Sequence, residues 1–169
     1  MKPANALQRL VNSAASLPTP LRRRVVTAAF TYRVRFAGTG GVQFEVLEEG
    51  RAVAVMRNRG KVRNHIGGVH AAAMALLAET TSGAVFGLSL PGDRVPLLKS
   101  MHIDYQRRAQ GDLRAEATLA LPQRRALQQK ERGEMVVPVH VTDSSGEQPI
   151  ECRMVWAWVP KEKKRRVSD

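Results

Sequence analysis

The residues best equipped for chemistry fall within one short stretch: Asn64, His65, Gly67, Gly68 and His70, followed nine positions later by Glu79. Glu79 sits in an otherwise apolar segment. A carboxylate removed from water is costly and its pKa rises. Such carboxylates are usually paired or functional. The alternative is that Glu79 lies on a solvent-exposed stripe shared with Thr80 and Ser82. The polar, glycine-containing residues ahead of that segment would open a helix. Unpaired backbone N–H groups at a helix N-terminus attract developing negative charge, and two glycines let a ligand approach the backbone closely. An oxyanion hole needs both properties. The plainer alternative is a loop that only caps the helix.

Spacing constrains how these groups cooperate. On one helix His70 and Glu79 face roughly opposite sides, at ~100° per residue, and stand ~13 Å apart along the axis. If both serve one reaction, a second subunit must supply one of them. The Glu79 face also carries Ala72, Ala75 and Gly83, small residues beside which a ligand or a neighbouring backbone can lie.

The elements that must position these residues follow from periodicity. Pro3 to Ser16 reads as an amphipathic helix ended by Pro18 and Pro20, and Leu21 to Phe30 as a second helix. Thr31 to Ala37 is ambiguous. Val42–Leu47 and Ala52–Arg57 read as strands joined by a tight turn at Glu49-Gly50. Arg59 to Gly68 is a loop. Val69–Leu88, rich in Ala, Leu and Met, is the one long helix and is apolar nearly all round up to Ala78, hence buried on most sides. Pro91-Gly92-Asp93 breaks the chain. Leu98–Gln106, Leu113–Leu121, Met135–Thr142 and Ile150–Val159 read as strands, with strict alternation only in the second. Two strands, a buried helix and about four strands on short connections predict an α+β fold: an antiparallel sheet curved round one helix. The expected organisation is a helical extension over 1–30, a sheet-and-helix domain over 31–160 and a basic tail over 161–169.

Composition bounds the function. With 169 residues the chain is one domain's worth. Cys152 is its only cysteine, which excludes an intrachain disulfide and a multi-thiolate metal site, and makes the reducing cytoplasm the default compartment. No secretory signal is visible, and the longest apolar stretch, Val69 to Ala78, is far short of the ~20 residues that span a bilayer. The net charge of +12 suggests a polyanionic partner, either nucleic acid or a phosphate-bearing small molecule such as coenzyme A. The arginines cluster only at Arg22-Arg23-Arg24 and in the C-terminal tail from Lys161 to Arg166, which also suits solvated ends. Nucleic-acid binding is therefore the weaker reading.

The stretch Asn64-His65-Ile66-Gly67-Gly68-Val69-His70, with Leu77-Ala78-Glu79 later in the helix, resembles the PaaI-type branch of the hotdog-fold thioesterases. More closely, it is similar to a poorly characterised branch of that superfamily. The family shows an amide residue, a His-Gly-Gly at the start of its central helix and a Leu-Ala-Glu within it. The resemblance implies a hotdog fold over roughly Val42 to Val159 and hydrolysis of an acyl-CoA or acyl-carrier-protein thioester. It needs no cofactor beyond the coenzyme A moiety of the substrate, and no metal. It makes Glu79 the general base or nucleophile and has Asn64 orient the water or the thioester. The Ala71 N–H would polarise the carbonyl, and His70 would shape the turn or contact substrate. The resemblance also places the site between the subunits of a homodimer or tetramer. The chain departs from the family at Ala71 and Ala72, where glycines are usual, and at Gly83, where Ser or Thr often stands.

His65, Gly68 and Gly83 join the expected substrate-binding residues, and Arg107 and Arg108, at a strand end, are placed to reach a coenzyme A phosphate. His102 and Asp104 share a strand face, as do Trp156 and Trp158, which suits packing. Two other hotdog activities compete: a dehydratase pairing His65 with Glu79, and a non-catalytic acyl-CoA-binding protein.

Overall fold

Local punctuation divides the N-terminal part into short helices. The structure, a computed structural model, describes residues 3–162. Helix α1 (Ala6–Ser13) starts at Asn5, whose side chain accepts from the Gln8 N–H while Gln8 accepts from the Asn5 N–H. Helix α2 (Thr19–Arg33) carries Pro20 in its first turn, where a missing N–H costs nothing. The ambiguous stretch after it is helical too. The chain breaks at Val34 and resumes as α3 (Arg35–Gly40), which Gly41 ends at φ +70°. Helical structure thus runs beyond the expected boundary at residue 30. The basic tail lies outside the described residues from 163 onward.

Strands β1 (Gln43–Glu48) and β2 (Arg51–Met56) form the expected hairpin, with Gly50 at φ +85° in its turn. A single 3₁₀ turn (Gly60–Val62) leads to helix α4 (Ala71–Ser89). Then come β3 (Arg94–Tyr105), β4 (Leu113–Thr118), α5 (Leu121–Gln129), β5 (Gly133–Val137), β6 (Val139–Asp143) and β7 (Ile150–Pro160). The seven strands make one sheet, in the order β1-β2-β4-β6-β7-β3 with β5 also on β7, and every pairing is antiparallel.

Three elements differ from the sequence reading, each for a local reason. Residues 121–129 are a helix, not the end of a strand and a connection: Pro122 occupies its first turn and Gln123 accepts from the Ala120 N–H. The strand expected from Leu98 begins at Arg94, because β3 is an edge strand and tolerates Pro96. The strand expected over 135–142 is two, split at Pro138, which has no N–H for the ladder.

Small residues bring the helix close to the sheet. Ala52 pairs with Ala117 and Ala54 with Ala115, and all four are fully buried under α4. Further along, Phe86 of α4 packs against Trp156 (centroids 5.7 Å) and Trp158 (6.1 Å). This is the expected curved antiparallel sheet round one central helix. By length and composition α4 is long and apolar enough to cross a membrane, past the limit that the stretch to Ala78 suggests. In this fold it is the core helix, with Leu77, Ala78, Ala84, Val85 and Phe86 sealed against the sheet.

Candidate active site

The loop entering α4 is held by Asn64. Its Oδ1 accepts from the N–H groups of Ile66 and Gly68, both at 3.1 Å, and its backbone N–H donates to Gly68 O at 2.9 Å. Gly67, at φ +80°, makes the reversal that no β-carbon favours. The Asn64 Nδ2 makes no hydrogen bond among the described residues. Asn64 thus shapes the loop with its oxygen and keeps its amide protons for another partner. His65 is exposed and Gly68 buried.

His70 caps α4. Its Nδ1 accepts from the Ala72 N–H at 3.1 Å, so the neutral ring carries its proton on Nε2. Its carbonyl accepts from Ala73 and Met74. Of the first-turn donors this leaves the Ala71 N–H, which has no acceptor among the described residues. It is the donor expected to polarise a carbonyl. The Tyr105 hydroxyl donates to Ala71 O at 3.1 Å and ties β3 to this turn.

Glu79 lies two and a half turns on, half-buried, with no cation paired to it among the described residues. Burial raises its pKa above the ordinary carboxylate value, and the nearby Thr80 hydroxyl opposes the shift. Thr80 Oγ1 is itself buried and makes no hydrogen bond of standard geometry. The solvent-stripe alternative is excluded: Thr80 and Ser82 are 3% and 0% exposed. Ser82 Oγ donates to Glu79 O and accepts from Trp156 Nε1 at 3.1 Å. The open stripe is instead Ala75, Glu79, Gly83 and Gly87, one residue per turn. Glu79 faces an apolar cavity of about 300 Å³ whose lining includes Leu7, Phe30 and Val34 from α1 and the end of α2. Nothing in the local sequence signals that the N-terminal helices cover this carboxylate.

The other expected residues divide. His70 faces a different groove, with Phe36, Lys61 and Leu76, so Glu79 and His70 share no cavity within one chain. The Arg107 guanidinium is occupied: Asp143 lies at 2.9 Å, Glu147 at 3.1 Å, and Ser145 Oγ accepts from it. Burial alone would raise the Asp143 carboxyl. Ser145, the Gln110 N–H and Arg107 outweigh it and hold Asp143 at about 2. Arg108 is exposed, donates to Ile66 O at 2.6 Å and borders a shallow hollow with Gly67 and Gly68. Gly83 has a packing reason, since a methyl group there would come within 2.6 Å of the Trp156 ring. His102 and Asp104 pair at 3.2 Å on the exposed face of β3. Among the described residues no three His, Cys, Asp or Glu side chains gather as a metal site.

Comparisons with known proteins agree with this frame. The model of a family described as a domain of unknown function, DUF4442, matches residues 22–159. A Pseudomonas aeruginosa protein of unknown function, named as a "Probable Thioesterase", is 31% identical with a TM-score of 0.72, over 86% of this chain and 97% of that chain. A Staphylococcus aureus thioesterase is 19% identical with a TM-score of 0.64, over 75% of this chain and 99% of that one. It is known from separate variants in which a glutamine and a glutamate fifteen positions apart are each replaced by alanine. A Haemophilus influenzae thioesterase is 15% identical with a TM-score of 0.63, over 78% and 87% of the two chains. No curated protein matches the chain.

Proposed function

From the premise that the chain belongs to the DUF4442 family and has the hotdog fold of its structural relatives, we propose that it hydrolyses acyl thioesters, with coenzyme A or a carrier protein as the thiol. The observation that carries this reading is Glu79, an unpaired, half-buried carboxylate of raised pKa facing an apolar cavity. Asn64 and Glu79 are also fifteen positions apart, the spacing of the glutamine and glutamate replaced in the S. aureus thioesterase.

In this reading Glu79 takes a proton from water as the water oxygen attacks the thioester carbonyl carbon. The Ala71 N–H donates to the developing oxyanion. The C–S bond then breaks, the proton on Glu79 passes to the thiolate, and the carboxylic acid gives its remaining proton to solvent as it leaves as a carboxylate. Asn64 Nδ2 is free to hold the water or the carbonyl.

Glu79 and the Asn64–Ala71 turn cannot meet within one chain, so two copies build each site. Strand β3 supports such pairing. It is a 12-residue edge strand, paired among the described residues only with β7, and Leu97, Met101 and Tyr105 on it are 48%, 45% and 49% exposed. A bare edge of this length invites a second strand. We place the enzyme in the cytoplasm, in keeping with its single unbridged cysteine. The test is turnover of an acyl-CoA panel: wild type releases thiol, and Glu79→Gln lowers kcat at least about 100-fold. Equal background rates for both proteins on every substrate overturn the reading.

A further inference from the structure

We infer that the cavity beside Glu79 is the pocket for a linear aliphatic acyl chain, that helices α1 and α2 form its outer wall, and that Gly87 sets its depth. The identity of the ligand rests on the thioester reading above; the wall and the depth rest on geometry alone.

The lining is unlike that of a polar site. Leu7, Phe30, Val34, Pro96 and Trp156 line the space, and among the described residues no lysine or arginine does. Its volume of about 300 Å³ is at the small end of ligand pockets. The polar groups gather at one end. Glu79 is there, and beside it the buried Thr80 hydroxyl, which interacts with the Glu79 carboxylate but makes no hydrogen bond of standard geometry. A buried hydroxyl left in this state favours a ligand that brings it a polar atom, and a thioester head group does so.

The far end has no polar hook. Asn5 lies there, but both of its amide protons are spent, on Gly87 O at 2.8 Å and Leu90 O at 2.7 Å, and its oxygen accepts from the Gln8 N–H. A hydroxylated or carboxylated tail would lose its hydration there with no donor to replace it. A plain alkyl tail loses nothing. Glu79 and Gly87 are eight residues apart, ~12 Å along the helix, so the space runs the length of a medium-chain acyl group.

Gly87 is the position from which depth can be changed. A β-carbon there meets only Pro96, at 4.0 Å, so a side chain enters open cavity. Gly83 offers no such freedom, because the Trp156 ring lies against it. On the opposite wall Leu7 belongs to α1, which the Asn5 and Gln8 side chains fasten to the C-terminal carbonyls of α4. The N-terminal helices are therefore built into the pocket.

The experiment uses the full chain with two opposed variants, Gly87→Leu and Leu7→Ala, and two readouts. The first is kcat/KM over saturated acyl-CoAs of increasing length. Each methylene buried is worth about fourfold. Gly87→Leu is expected to lower the ratio of long-chain to short-chain kcat/KM at least tenfold, and Leu7→Ala to move the optimum toward longer chains. The second needs no turnover: a coenzyme A thioether whose alkyl tail ends in bromine quenches Trp156 fluorescence in wild type and not in Gly87→Leu. Wild type that hydrolyses thioesters, with profile and quenching alike in all three proteins, overturns the pocket and leaves the hydrolase intact. Quenching that depends on position 87 without any hydrolysis upholds the pocket and overturns the hydrolase. Absence of quenching in wild type overturns the pocket.

Discussion

At the scale of single residues, two carboxylates sit in opposite electrostatic situations. Glu79 is half-buried with no cation, and burial raises its pKa. In the unfolded chain it ionises near its ordinary value, while in the folded protein it ionises at higher pH. Its contribution to stability is therefore greatest in acid and falls as pH rises through that interval. Glu79→Gln is expected to raise the Tm at neutral pH while abolishing hydrolysis, and the acid limb of the wild-type kcat/KM profile should lie above the ordinary carboxylate value of 4.5. Calorimetry and a pH–rate profile check the two halves. Asp143 is the reverse case, held down at about 2 by Ser145, the Gln110 N–H and Arg107 against its burial. Its contribution is present above the unfolded value of 3.8 and is lost as pH falls from about 4 toward 2. Asp143→Ala should cost about 2 kcal/mol in urea unfolding at pH 7, and that difference should shrink on acidification across this interval. These partners also explain why the sequence alone suggests a phosphate contact at Arg107. Its residue type is plain there, but its pairing with Asp143 and Glu147, some forty positions away, is not.

At the scale of elements, α4 carries most of what is legible in the sequence. Its composition announces a buried helix, His70 lies at its N-cap, and Glu79 falls where a single half-buried stripe runs down it. The strict alternation of Leu113, Ala115 and Ala117 with Arg114, Glu116 and Thr118 marks the inward face of β4, and those three apolar residues are buried. Helix α5 is not legible, because its signals are a first-turn proline and a glutamine bond back to the backbone rather than an apolar stripe. The two stripe glycines of α4 should respond oppositely to alanine. At Gly83 the Trp156 ring stands 2.6 Å from an added methyl, and overpacking of about 1–3 kcal/mol should exceed the gain in helix propensity. At Gly87 the space is open, and the same change should stabilise by up to about 1 kcal/mol. Thermal unfolding of the two variants beside wild type decides it.

At the scale of the whole molecule, the proposed hydrolysis makes assembly part of the chemistry, because Glu79 and the Asn64–Ala71 turn border different cavities of one chain. If each site takes Glu79 from one copy and Asn64 from another, Glu79→Gln and Asn64→Ala proteins are each inactive but complement one another. Unfolded together and refolded as an equal mixture of dimers, they should recover about a quarter of wild-type activity, since half of the dimers are hybrids with one intact site of two. Recovery of none shows that both groups act within a single chain. Leu97→Lys with Met101→Lys should give a monomer by sedimentation and remove activity, because charges on an edge strand prevent edge-to-edge pairing. The angular spacing of His70 and Glu79 on one helix calls for a second copy if both serve one reaction. The edge at which that copy would pair follows only from the strand order, which no local pattern encodes.

The fastening of α1 has a consequence for how the protein acquires its shape. Asn5 and Gln8 find their partners on residues 80 to 85 positions later in the chain. During synthesis these carbonyl partners of α1 are missing until α4 has emerged and met its sheet. An isolated eight-residue helix is barely populated in water. Helix α1 is thus fastened late although it precedes α4 in the chain, and the wall beside Glu79 closes only once α4 is in place.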